Sequence, residues 1–290
     1  MIDGLAKALI TVILLVATPA MGSTAKAQGL GLGTDGNKPI EIYANEGIEW
    51  DQKNKRYVAR GNAKAIQGDT TVYANTLTAY YEDRKSTGKG SEIYRIEAAG
   101  KVKIVSPSQT VYGDNGVYDA HQKVLVLTGE NLKLITKQDI ITARDSLEYH
   151  DVKSLTVARG NAVLRQRNPV KGKERTVRAD VLTNQSKLPP PKGTKGRTRK
   201  NGGHGGPRRL DAYGNVVITR PGEVALGDRA VYLPDEDTAE LWGKVRLTRG
   251  QSQFNGERAI INFKTGISRL LAGKGGKKAP PVRVLLVPNK

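Results

Sequence analysis

The chain has 290 residues, of which 38% are hydrophobic, contains no cysteine and has a formal net charge of +19 at pH 7. This length and apolar content allow one large domain or two ordinary domains with a buried core. A chain without cysteine cannot contain disulfides, Cys-ligated zinc, iron–sulfur clusters or thiol nucleophiles. The charge taken alone indicates a polyanionic partner, such as nucleic acid, an anionic membrane surface or an anionic glycolipid.

The first 27 residues have the pattern of a secretory signal peptide. Lys7 precedes an apolar run over residues 8–17, and Ala25-Lys26-Ala27 is a small-residue cleavage sequence. The run is too short to span about 30 Å of hydrocarbon, which favours cleavage over the alternative, an uncleaved anchor. We therefore predict a signal peptide over residues 1–27, a flexible segment over residues 28–38, and export, which argues against nucleic acid as a partner.

The remainder of the sequence repeats two short elements. The first element is a glycine followed by alternating apolar residues, and it occurs at Gly61, Gly100, Gly129, Gly160, Gly214 and Gly243. The second is a small residue followed by an acid or amide, and it occurs at Asn75, Asp114, Asp145, Asp180, Asp228 and Glu257. The two elements together form a unit of roughly 30 residues, and such a recurrence indicates a stack of similar structural units.

Each unit alternates apolar and polar residues with a period of two. Val102 and Ile104 alternate with Lys101 and Lys103, which is typical of a strand with one buried and one solvated face. The alternation slips by one position at each small-acid pair, which predicts a bend there. No stretch after residue 28 has a helical period, so we predict an all-β fold of antiparallel hairpins with one shared apolar interior.

Two basic segments interrupt the repeat. Residues 186–209 contain eight Lys and Arg and no acid, and this composition predicts a disordered insert within one domain. A linker between two domains is the alternative. Residues 273–281 are predicted to be a flexible basic segment before a last strand over residues 282–287. Most of the positive charge therefore lies outside the repeats.

The sequence does not have the residue patterns of an enzyme. His121, His150 and His204 are far apart in sequence, and no Ser-His-Asp order or phosphate-binding glycine loop occurs. The acids Asp114 and Asp180 occupy equivalent repeat positions, where stabilising a bend is their expected role. We predict no catalytic residues, no metal site and no cofactor.

Several segments resemble a known family. The sequences of residues 39–45 and 61–75, and the turn Leu127-Thr128-Gly129, resemble the OstA-like lipopolysaccharide transport domain, and the likeness extends over about residues 39–287. The resemblance implies a twisted, incompletely closed antiparallel β-jellyroll built from repeated hairpins. It also implies lipopolysaccharide transport in the periplasm for assembly of the outer membrane.

The resemblance implies that an apolar groove shields the acyl chains of lipid A. Inward residues of the repeats are the predicted lipid contacts; the alternative is that they fill a closed core. These residues are Ile40, Ile42, Val72, Leu77, Val102, Ile104, Leu125, Leu127, Leu132, Leu134, Ala162, Leu164, Val216, Ile218, Val245 and Leu247.

The two ends of the repeat are predicted to be protein interfaces. An open jellyroll leaves unpaired strand edges, to which another strand can add. The resemblance implies that inner-membrane and outer-membrane transport components pair there, and head-to-tail self-association is possible by the same contact. The predicted interface residues are Ile40, Ile42, Val284 and Leu286.

A function of a different class is also compatible with the sequence. An exported structural or adhesive β-solenoid would bind polyanions through the basic insert at residues 186–209. Deleting the insert separates the two functions, because a groove carrier keeps its lipid whereas a polyanion binder loses its ligand.

Overall fold

The structure is a computed structural model that describes residues 38–83, 91–167, 174–186, 207–273 and 281–287. The predicted signal peptide, residues 28–37, residues 187–206 of the basic insert and residues 274–280 of the second basic segment lie outside the described residues. In the described part of the chain, no helix is long and apolar enough to cross a membrane.

The described residues form 18 strands in one antiparallel sheet, which confirms the predicted all-β fold. In chain order they are β1 (Glu41–Tyr43), β2 (Gly47–Asp51), β3 (Arg56–Gln67), β4 (Thr70–Asp83), β5 (Ser91–Val105), β6 (Gln109–Asp119), β7 (Val124–Thr128), β8 (Lys133–Thr136), β9 (Asp139–Thr142), β10 (Ser146–His150), β11 (Leu155–Gln166), β12 (Thr176–Ser186), β13 (Pro207–Arg220), β14 (Glu223–Leu233), β15 (Thr238–Arg249), β16 (Ser252–Asn262), β17 (Ile267–Leu271) and β18 (Arg283–Leu285).

The long strands bend near their middle, and the sheet folds over on itself along the line of bends. In β3 the pairing with β4 shifts register between Arg60 and Ala63, and the equivalent shift in β13 lies between Tyr213 and Val216. Pairs of short strands replace a long one in places, since β1 and β2 both pair with β3. The fold therefore has two facing halves: half A, which contains β1, β8, β9 and β18, and half B, which contains β2, β7, β10 and β17.

Glycine makes these bends possible. Gly214 has φ 74° and the next residue, Asn215, has φ 47°, and two consecutive left-handed residues are costly unless glycine supplies one of them. An acid or amide side chain on the neighbouring strand, or on the residue just before it, covers each such glycine, as Asp228 covers Gly243. Asp114 covers Gly129 in a similar way and accepts a 2.7 Å hydrogen bond from the backbone N–H of Glu130. The repeat acids Asp114, Asp180 and Asp228 therefore lie at the bends, where the sequence placed them, and their role in stabilising the bends stays a prediction.

The inward side chains of both halves form one continuous hydrophobic core, which extends from Ala59 on β3 to Ile261 on β16. Alternation along each strand puts every second residue inside, so each half contributes one apolar face. The shared apolar interior inferred from the repeat is confirmed, and it is deepest beside the bends, where Val102, Val216 and Val245 are each 1% exposed.

The borders of the basic insert differ from the prediction. Ser186 pairs with Pro207, and Gln185 pairs with Arg209, so β12 and β13 are neighbours on either side of the insert. Placing Arg209 inside the insert was wrong, because its guanidinium pairs with Asp211 on the same strand at 2.7 Å. The last strand, predicted over residues 282–287, is also shorter and consists of β18 alone.

Candidate functional site

An apolar cavity between half A and half B, here called the larger cavity, is partly open to solvent and comprises about 590 Å³ of space including the open part. Most of its lining is apolar and comes from Ile141, Ala158, Leu164, Val177, Leu182, Leu210, Ala212, Ile218, Ala230, Val231, Tyr232, Ala239 and Phe263. The polar lining residues are Thr156, Arg175, Thr183, Asn184 and Asp211.

A second cavity, here called the smaller cavity, lies at the N-terminal end of the sheet and comprises about 310 Å³ of space including the part open to solvent. Its lining comes from β1, β3, β4 and β5 together with the residue that precedes β1. These residues are Ile40, Ile42, Tyr57, Ala59, Ala65, Leu77, Ala79, Ile93 and Ile96. Both cavities therefore belong to the same apolar interior.

The predicted lipid contacts fall into three groups. Leu164 and Ile218 line the larger cavity, whereas Ile40, Ile42 and Leu77 line the smaller one. The others are buried in the core and line neither of these two cavities: Val72, Val102, Ile104, Leu125, Leu127, Leu132, Leu134, Ala162, Val216, Val245 and Leu247.

Closely packed leucines separate the two cavities. In the sheet, β6, β7 and β8 lie between the strands that line the smaller cavity and those that line the larger one. Leu127 is 1% exposed and Leu132 is 2% exposed. The interior is thus closely packed between the two cavities and contains unfilled space on either side of this packed region.

None of the predicted lipid contacts lies in the half-B lining of the larger cavity. The prediction relied mainly on residues after each repeat glycine, and in the units of β11, β13 and β15 those residues belong to half A. Leu182 lies two residues after the repeat acid Asp180 and faces the cavity from half B. Continuing the alternation beyond each repeat acid is the signal that could have identified these residues.

Two arginine–aromatic contacts bridge the halves on the side away from the bends; we call this region the mouth of the larger cavity. Arg175, beside β12 in half A, places its guanidinium 4.3 Å from the ring centre of Tyr232 in half B. Arg220, at the end of β13 in half A, lies 3.8 Å from the ring centre of Phe263, just after β16. Both distances are within the range of cation–π attraction.

The electrostatic environment at the mouth disfavours charge. Burial lowers the pKa of Arg220, and the positive charge of Arg175 lowers this pKa further. Burial also raises the pKa of Tyr232, whose hydroxyl donates a 2.9 Å hydrogen bond to Asp237. Two guanidinium groups therefore lie close together in a partly dehydrated region.

A buried carboxylate stabilises half B beside the larger cavity. Asp211 is 7% exposed and accepts two hydrogen bonds from Arg209, at 2.7 and 2.8 Å. Tyr213 donates a third at 3.3 Å, and Arg229 lies 3.6 Å away. Burial alone would raise the pKa of Asp211, but these partners hold the pKa below its usual value.

The predicted interface residues lie at the two edges of the sheet. Among the described residues, β1 and β2 pair only with β3, and β17 and β18 pair only with β16. Ile40 and Ile42 are partly buried against the core, whereas Val284 is 48% exposed and Leu286 is 69% exposed. Other large apolar side chains exposed at these edges are Tyr43, Ile48, Trp50, Ile267, Leu271 and Leu285.

One group of side chains in the described part of the chain has the composition of a metal site. Glu82, Glu92 and His121 bring potential ligand atoms within 4.8 Å of one another, and the Glu82 carboxylate lies 3.0 Å from the His121 ring. Glu92 and His121 are exposed, and such surface groups are common without a metal. The cluster therefore assigns no metal to this chain.

Comparison with known proteins gives a family match over most of the strands. A family model described as LptA/(LptD N-terminal domain) LPS transport protein matches residues 41–145 and 145–267. An uncharacterised protein of Rhizobium meliloti (strain 1021) is 30% identical over 122 residues, which are 41% of this chain and 65% of that protein. The chain thus spans slightly less than two thirds of that relative's length.

A solved structure also matches. It is the crystal structure of LptH, described as the LptA homologous periplasmic component of the conserved lipopolysaccharide transport device from Pseudomonas aeruginosa. The sequence identity is 13%, the match covers 87% of this chain and 96% of that chain, and the TM-score is 0.22. This similarity is too low to support an argument about function.

Proposed function

Because the chain belongs to the family of LptA and LptD N-terminal domain lipopolysaccharide transport proteins, we propose that it is a periplasmic carrier of the LptA kind. It binds lipopolysaccharide, shields the acyl chains of lipid A in its interior, and bridges inner-membrane and outer-membrane components of the transport machinery. The observation that carries this proposal is the larger cavity, which is lined mainly by apolar residues of the two facing halves.

The free energy of hydration explains why a carrier needs such an interior. Exposing an acyl chain to water costs about 0.8 kcal/mol per methylene, or roughly 8 kcal/mol for ten methylenes. Leu164, Val177 and Ile218 from half A and Leu182 from half B offer an apolar surface in place of water. The carrier binds the chains without covalent chemistry, so the proposal requires no catalytic residue.

The edge strands support the bridging part of the proposal. Soluble proteins usually protect exposed edges, because unpaired backbone groups pair readily with other strands. Here the first edge exposes Ile48 and Trp50, and the last edge exposes Val284 and Leu286. Strand addition at both edges would join this chain to a component at each membrane, or to another copy of itself, through a continuous sheet.

Site-specific photo-crosslinking tests lipid binding directly. A photoreactive residue at Ile218, which lines the larger cavity, is expected to trap lipopolysaccharide in cells that export it. The matched control is Thr219, the next residue of β13, which points to the opposite face and is exposed. Lipid adducts at Ile218 but not at Thr219 would support the proposal; adducts at neither site, with both variants folded, would contradict it.

A further inference from the structure

The mouth of the larger cavity combines positive charge with an apolar interior. Arg175 lines the cavity and contacts Tyr232, and Arg220 contacts Phe263 beside it. Both guanidinium groups come from half A, and both rings come from half B. An amphiphile with its chains in the cavity would therefore have its polar group beside two arginines.

Among the described residues, no carboxylate forms an ion pair with Arg175 or Arg220. The charges of Asp237 and Glu223 raise the pKa of Arg220 and so offset part of its positive charge, but each of these acids also has another partner. Asp237 accepts a hydrogen bond from the Tyr232 hydroxyl, and Glu223 pairs with Arg249 at 3.3 Å. Burial raises the pKa of Asp139, although the charge of Arg175 opposes that rise. The positive charge at the mouth is thus incompletely compensated.

The hydrogen-bonding capacity of Arg175 is also incompletely used. Its Nε–H is buried and has no hydrogen-bond partner, and leaving a buried donor unsatisfied is unfavourable. A guanidinium group binds phosphate through parallel N–H donors, which a lysine cannot do. An anion at the mouth would satisfy this donor and reduce the repulsion between Arg175 and Arg220.

We propose that Arg175 and Arg220 form a binding site for the phosphate head group of the amphiphile whose acyl chains occupy the larger cavity. This inference rests on the proposed carrier function and adds the position of the head group. It also orients the ligand, with its chains directed toward the bends and its phosphate at the mouth.

The test uses amphiphiles that share a chain and differ in head group. Purified mature protein is titrated with dodecyl phosphate, with the uncharged dodecyl maltoside, and with inorganic phosphate alone, each amphiphile below its critical micelle concentration. The variants are Arg175→Gln, Arg220→Gln and Arg175→Lys. The matched controls are Arg178→Gln and Arg246→Gln, which remove exposed arginines from the outer face of β12 and β15.

We expect each mouth variant to weaken dodecyl phosphate binding about tenfold, as loss of a charge-assisted contact does. Dodecyl maltoside binding should change less than about twofold, the control variants should bind both amphiphiles normally, and Arg175→Lys should restore part of the phosphate preference. Thermal unfolding of each variant identifies any general loss of structure.

Several results would overturn the inference. Equal weakening for both amphiphiles would assign the arginines a structural role, and unchanged dodecyl phosphate binding would exclude them from the site. Inorganic phosphate that binds as tightly as dodecyl phosphate would indicate a free-anion site rather than a head-group site. If wild-type protein binds neither these amphiphiles nor lipopolysaccharide, the carrier function itself is refuted. If wild-type protein binds lipopolysaccharide normally and the mouth variants have no effect, only the head-group site is refuted.

Discussion

Asp180 on β12 lies directly over Gly214 on β13, and its Oδ2 accepts a 2.9 Å hydrogen bond from the side-chain amide of Asn215. Gly214 has φ 74°, and a Cβ atom there would clash with the carboxylate of Asp180. The same arrangement recurs at the other bends, as between Asp228 and Gly243. These contacts shape the fold. Each of these bends requires glycine, because the Cβ of any other residue would meet the acid or amide side chain that covers the bend.

Gly214→Ala is therefore expected to destabilise the protein for two reasons. The left-handed backbone costs about 1–2 kcal/mol for a residue with a Cβ atom, and the clash with Asp180 adds to this cost. The matched control is Gly222→Ala, because Gly222 has φ 72° but nothing lies within 4 Å of its added Cβ. Denaturant unfolding should show the larger loss at position 214; equal losses would contradict the steric part of the explanation.

A double mutant tests the contact between the two residues. Asp180→Ala removes the carboxylate, so Gly214→Ala should cost less in that background than in the wild type. The difference is the coupling free energy of the pair, which is about 0.5–3 kcal/mol for residues in direct contact. Additive losses would mean that Asp180 moves away without cost when Gly214 is replaced.

The larger cavity predicts that replacing two different alanines by phenylalanine affects stability and binding differently. Ala230→Phe puts a ring into a space bordered by Ala230, so stability should stay within about 1 kcal/mol of wild type while lipopolysaccharide binding falls several-fold. Ala259→Phe, the matched control, overfills a core position that is 0% exposed and borders neither of the two cavities, which costs about 1–3 kcal/mol. Unfolding midpoints and binding titrations distinguish the two; undiminished binding by Ala230→Phe would place the lipid elsewhere.

Asp211 predicts a dependence of stability on pH. Its folded pKa is lowered, so its contribution is fully present above the unfolded pKa of about 3.9 and is lost as pH falls through the folded pKa. Asp211→Asn should thus cost about 1–3 kcal/mol at pH 7 and progressively less toward pH 3. Glu49→Gln, at an exposed pair with Arg60, should cost under about 1 kcal/mol. A pH-independent deficit for Asp211→Asn would refute this explanation.

We expect deletion of the basic insert to leave stability and lipid binding largely unchanged. Ser186 pairs with Pro207, so Asn-Gly in place of residues 187–206 can close the hairpin between β12 and β13. Stability should change by less than about 1 kcal/mol, and lipopolysaccharide binding should persist. Loss of the ligand in a folded deletion variant would favour the alternative function of a polyanion-binding solenoid.

A substitution at the last edge of the sheet is expected to affect self-association alone. Leu286 is 69% exposed beside β18, and Val152 is equally exposed in the turn between β10 and β11. If copies associate through the edges, Leu286→Lys should weaken self-association in sedimentation velocity, and Val152→Lys should not. The same sedimentation profile for both variants would exclude Leu286 from the contact.

The repeat could be interpreted from sequence because its signals are local. A side chain's direction along a strand follows from its position in the alternation, and the left-handed bend needs glycine wherever it occurs. Gly214 and Asp180 therefore predicted a bend, and Val102 and Ile104 predicted an inward face. The all-β class, the antiparallel hairpins and the shared interior all follow from these local rules.

Tertiary structure alone decided which inward residues border open space. Leu127 and Leu164 have the same alternation and similar burial, yet only Leu164 lines the larger cavity, because cavity volume depends on the side chains that face each other across the two halves. The approach of Arg175 to Tyr232 has the same origin, since it requires strands distant in sequence to close the mouth. Sequence determined which face each strand buries, and the packing of half A against half B determined where that buried face borders open space.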